Sequence, residues 1–89
     1  MRVVLDIEAD GLNPTKIWCI VAKDIKTNEV YTFEPDTLSD FKNFSKNISI
    51  YIGHNLIGYD LPALHKLLDI TVPLDSVVDT LVISRLLDS

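Results

Sequence analysis

Hydrophobic residues fall along this chain in short runs, separated by turn residues and alternating between strand and helix spacing. Val3-Val4-Leu5, followed by Ile7 and Ala9, opens the chain as a continuous apolar run and predicts a strand buried on both faces. Gly11-Leu12-Asn13-Pro14-Thr15 supplies a turn. Lys16 to Lys23 reads as a second strand, Asp24 to Asn28 as a polar turn, and Glu29 to Glu34, rich in β-branched and aromatic residues, as a third. These three predict an antiparallel meander.

Pro35-Asp36-Thr37 changes the period. Thr37 with Asp40 has the form of an N-terminal capping pair, and Leu38, Phe41 and Phe44 fall at helical spacing, which predicts a helix to about Lys46. Ile48 to Ile52 predicts a fourth strand ending at Gly53, and 54–58 a loop. Asp60 and Pro62 mark a helix start with a buried stripe of Leu61, Leu64, Leu67 and Leu68. After an irregular connection, Val77-Val78 predicts a short fifth strand, and Asp79 caps a last helix from Thr80 to Leu87. The order β-β-β-α-β-α-β-α is that of an α/β fold with a mixed sheet. A right-handed crossover sets the fourth strand parallel to a neighbour, and ligands of such sheets bind beyond the carboxyl ends of the strands.

Composition narrows this picture. A chain of 89 residues makes one small domain, burying only about 60% of its unfolded surface. No apolar run approaches the roughly 18 residues that span a bilayer, and the first residues lack a signal-peptide layout. With no membrane partner expected and one cysteine, Cys19, expected to be a small buried apolar residue, the chain reads as cytoplasmic. The net charge of −5 argues against gripping nucleic acid through a basic surface. Phosphate contacts routed through metal ions stay open.

The candidate chemistry begins at the end of the first strand. Asp6 and Glu8, two residues apart, project to the same side. Two adjacent anions raise each other's cost of ionisation. A hard divalent cation with oxygen ligands is the natural counter-charge. A second informative stretch, Gly53 to Asp60, follows a strand and opens a helix; if that strand lies beside the first, Asp60 joins the pair.

At these residues the chain resembles the DEDD exonuclease superfamily, which has a ribonuclease H-like fold. Asp6-Ile7-Glu8 matches its Asp-x-Glu motif, and Asn55-Leu56-Ile57-Gly58-Tyr59-Asp60 its Asn-to-aromatic-Asp motif. The runs His54-Asn55, Tyr59 to Leu64 and Asp79 to Leu86 look like the proofreading domain of phage T7-type family A DNA polymerases, and the resemblance spans nearly the whole chain. It implies 3′→5′ exonucleolysis of single-stranded DNA ends by two divalent ions, Mg2+ or Mn2+, about 4 Å apart. Asp6 would bridge both ions, Glu8 would hold one and Asp60 the other. Leu12 would wedge against the terminal bases, Tyr59 would pack near the terminal sugar, and Asn55 would contact the strand or orient the site. Asp10 reads as a turn residue that could touch substrate or metal.

The superfamily's fourth carboxylate, in a motif Tyr-x3-Asp or His-x4-Asp, has no counterpart. Residues 1–89 therefore read as the N-terminal part of one exonuclease domain, before its C-terminal helices, with the rest of the exonuclease or polymerase polypeptide as partner. Two alternatives share these residues: a nucleic-acid-binding or assembly module completed by another chain, and an RNA-directed exonuclease of the same superfamily. Asp6-x-Glu8-x-Asp10-Gly11 also resembles an EF-hand start, but position twelve of that loop is Ile17 instead of glutamate and no helix precedes it. His54 and His65 are expected to be structural, Asp79 a cap, Trp18 part of the core, and Arg85 solvated or paired.

Overall fold

The computed structural model describes residues 1–88. Five strands, β1 (Arg2–Ala9), β2 (Ile17–Asp24), β3 (Val30–Phe33), β4 (Ile50–Gly53) and β5 (Val77–Asp79), form one mixed sheet in the order β3-β2-β1-β4-β5. The first three make the antiparallel meander, while β1–β4 and β4–β5 are parallel. Three helices, α1 (Leu38–Ser45), α2 (Leu61–Leu68) and α3 (Thr80–Asp88), follow β3, β4 and β5. The chain is thus α/β, with the element order expected from its hydrophobic pattern.

The central strand obeys strict alternation. Val3, Leu5 and Ile7 are buried, whereas Val4, Asp6 and Glu8 are exposed. Burial of β1 on both faces is therefore not observed: Val4 stays 42% exposed despite its place in the apolar run. The reason is layering. The core gathers Leu5, Ile20 and Ala22 from the sheet with Phe41 of α1 and Leu64 of α2. The face bearing Val4, with Val30 and Val78 also exposed, has no comparable layer among the described residues.

Aromatic rings fasten α1 to β3. Phe33 meets Phe41 edge-on at 5.2 Å and Phe44 at 5.1 Å, and Tyr31 meets Phe44 at 4.7 Å. Phe41 is fully buried, and truncating such a ring leaves a cavity. Phe41→Ala is expected to cost about 3–5 kcal/mol, read as a lower urea midpoint.

Three local expectations are corrected. Thr37 does not cap α1: its hydroxyl accepts the Glu34 N–H at 2.9 Å and closes the preceding turn. β4 starts at Ile50, not Ile48, because Ile48 donates its N–H to the Ser45 carbonyl at 3.1 Å in the turn that follows α1. Trp18 lies outside the core, 48% exposed. Glu8 pairs with Cys19 and Ala9 with Ile17, so Trp18 is the extra residue of a β-bulge.

Candidate active site

The β1–β4 ladder ends at Val4–Ile52 and β4 ends at Gly53, so β1 outruns its neighbour. No side chain fits at position 53, where a Cβ would lie 2.9 Å from the Leu5 carbonyl oxygen and 2.7 Å from a Leu56 methyl. The chain then turns through Asn55, at φ 63°, into a π-type turn over Leu56–Asp60 that runs into α2. Tyr59 closes this turn by donating its N–H to the Asn55 carbonyl at 3.0 Å.

This path delivers Asp60 to the free edge of β1. The Ile7 N–H donates to Asp60 Oδ2 at 3.1 Å, a bond across 53 residues of sequence. Asp60 is only 6% exposed. Burial pushes its carboxyl up, the Ile7 N–H pulls it back, and the charges of Asp6 and Asp79 push it further, to about 7. Asp6 and Glu8 stand on either side of Ile7 along β1, both exposed. Their charges, after burial and Glu34, hold the Cys19 thiol above its usual range, which keeps it protonated and unreactive. Cys19 is half-buried, less enclosed than expected.

Asp79 does more than cap α3. Its Oδ1 accepts the Leu81 N–H at 3.0 Å, as a cap should, and also the Asn55 N–H at 2.8 Å, while Oδ2 accepts the Ile57 N–H at 2.9 Å. Burial alone would raise this carboxyl, but these donors outweigh it and hold it below the ordinary range. Asp79 thus clamps the loop that carries Asn55, Tyr59 and Asp60. Its position before a helix signals the cap; nothing local signals partners more than 20 residues away.

The loop after β1 is equally tied. Asp10 accepts the N–H groups of Thr15 at 2.9 Å and Lys16 at 3.1 Å, and the Thr15 hydroxyl. With the Thr15 hydroxyl foremost, these bonds lower its carboxyl to about 2. Asp10 is therefore occupied as a turn residue. The Tyr59 hydroxyl donates to the Gly11 carbonyl at 2.6 Å, and Lys66 Nζ to the Pro14 carbonyl at 2.8 Å and Asn13 Oδ1 at 3.1 Å. Leu12 projects from this braced loop, 96% exposed, beside a cleft lined by Pro14, Tyr59, Pro62, Ala63 and Lys66.

Asn55 is half-buried, with its amide oxygen against Gly58. His54 Nδ1 lies 3.0 Å from the Thr80 hydroxyl and His65 Nδ1 3.4 Å from that of Thr71, and both histidines are exposed, as is Arg85. Among the described residues, no three His, Cys, Asp or Glu side chains gather closely enough to form a metal cage. Asp6, Glu8 and Asp60 nevertheless bring only carboxylate oxygens to the end of β1, and the Asp60 carboxyl is raised first by its burial and further by the charges of Asp6 and Asp79. Such a set fits a hard ion that keeps part of its water shell.

No protein-family model matches the chain. It is 34% identical to the DNA-directed DNA polymerase of Escherichia phage T7 over 102 aligned residues, and 32% identical to that of Enterobacteria phage T3 over 99. Both alignments cover 98% of this chain and 14% of the relative, so the chain spans about one-seventh of the length of the curated relatives it matches. The chain is related, over almost all of its length, to a segment of the phage DNA polymerases.

Proposed function

We propose that residues 1–89 form the front part of a 3′→5′ proofreading exonuclease domain, ribonuclease H-like in fold, within a phage-type DNA polymerase. The observation that carries this reading is the seating of Asp60 on the Ile7 N–H between Asp6 and Glu8, which unites the two sequence motifs at one strand end. Asp6, Glu8 and Asp60 would hold the divalent ions, Mg2+ or Mn2+. Such ions supply an activated water and stabilise the leaving 3′ oxygen. Leu12, raised on its braced loop, meets the terminal bases of a single strand, and Tyr59 and Asn55 hold the loop that presents Asp60. Nothing in these residues reads a 2′-hydroxyl, so DNA rests on the relatives.

The open sheet face, with Val4 and Val78, and the exposed Ile83 and Leu87 of α3 favour completion by further polypeptide, the remainder of the polymerase being the fitting partner.

Incubating the chain with 3′-labelled single-stranded DNA and Mn2+ tests the assignment. Little or no release is expected from three carboxylates alone, and any release is lost in Asp6→Ala. Robust release that survives Asp6→Ala contradicts the assignment.

A further inference from the structure

The bulge in β2 exposes the chain's one tryptophan beside the candidate site. Trp18 lies next to Cys19, the cross-strand partner of Glu8, and the loop that carries Leu12 leads directly into this strand. Two facts set it apart from a stray surface residue. The bulge makes Trp18 an inserted residue with no partner on β1, between Ile17 opposite Ala9 and Cys19 opposite Glu8, and leaves its ring 48% exposed. In addition, Lys16 Nζ sits over the ring, 4.4 Å from its centroid. In a chain of net charge −5, that places a cation and an aromatic face together next to an acidic strand end. This pairing is the usual chemistry for single-stranded nucleic acid, with a π-face for a base and an ammonium for the neighbouring phosphate.

We propose that Trp18 is a stacking platform for a nucleobase of the single strand whose 3′ end reaches Asp6 and Glu8, and that Lys16 pairs with an adjacent phosphate. The inference rests on the exonuclease reading of the site, and it adds a binding residue on β2 to those on β1 and the Asn55–Asp60 turn. Stacking on a half-exposed ring is indifferent to base identity, as a site that removes any terminal nucleotide needs.

Because Trp18 is the only tryptophan, its emission reports on itself. The test titrates the chain with a short oligo-dT carrying a phosphorothioate 3′ linkage, in Mg2+. Trp18 emission is followed alongside the anisotropy of a dye on the 5′ end. The expected result is quenching that saturates with the anisotropy. Trp18→Ala should bind roughly tenfold more weakly, Trp18→Phe close to the parent, and Lys16→Gln should show a shallower dependence on salt by about one charge. Oligonucleotide binding with unchanged emission and equal affinity in Trp18→Ala overturns this inference and leaves the exonuclease reading intact. Absence of any anisotropy change overturns both.

Discussion

Asp79→Ala is expected to destabilise the chain by about 3 kcal/mol, because the Asn55, Ile57 and Leu81 N–H groups lose their acceptor together and each such loss costs about 1–3 kcal/mol, at the low end where water can reach. A domain of this size holds only about 5–13 kcal/mol in total. Urea denaturation measures the loss, and amide exchange localises it: protection should fall first at Asn55 and Ile57. Asp79→Asn should fall between, since an amide retains one acceptor but offers protons to at least one of the three donors. The pH dependence has a defined sign. The folded carboxyl lies below its ordinary value, so its contribution is present above about pH 4 and is lost as pH falls through the folded value.

Asp60→Asn should act in the opposite sense on stability and remove metal binding. The buried carboxyl is held at about 7, far above its ordinary 3.8. Its neutral form is thus favoured by folding, and its contribution is fully present below about pH 4 and lost as pH rises through 7. Metal-free parent protein should therefore lose stability between about pH 4 and pH 7 and level off above. An asparagine at this position keeps an oxygen for the Ile7 N–H and has no charge to bury. The variant should melt higher than the metal-free parent at pH 8, by roughly 4–8 °C for each kcal/mol gained, and its stability should lose this slope. A divalent ion should reverse the order by restoring the parent and leaving Asp60→Asn unmoved. Thermal melts of both proteins with EDTA or Mn2+, across pH, check all of this together.

These two aspartates also mark how far the sequence could be read. The order of elements was legible because each strand and helix carries its own period and its own turn residues. The parallel seating of β4 on β1, seen in the Val3–Tyr51 and Val4–Ile52 pairs, follows from the crossover through α1. That seating is what brings Asp60 to Asp6. What stayed hidden depends on partners distant in sequence. Val3-Val4-Leu5 reads as doubly buried, yet an apolar run cannot say whether a second layer exists for Val4. Trp18 has the composition of a core residue, but a one-residue register shift between the Glu8–Cys19 and Ala9–Ile17 pairs decides its exposure. Asp79 announces a cap, while the two loop amides it clamps lie more than 20 residues upstream. Thr37 satisfies a capping pattern and spends its hydroxyl on Glu34 instead.

The most direct test of the central claim, that Asp6, Glu8 and Asp60 act together on a divalent ion, is a Mn2+ titration of the 89-residue chain followed by electron paramagnetic resonance. The account predicts one weak, saturable site that tightens about tenfold per pH unit from 5 to 7, as Asp60 gives up its proton, and levels off above. It further predicts that Asp6→Ala and Asp60→Asn each abolish the site. Mn2+ binding of equal strength in the parent and both variants would place the ion elsewhere and contradict the account.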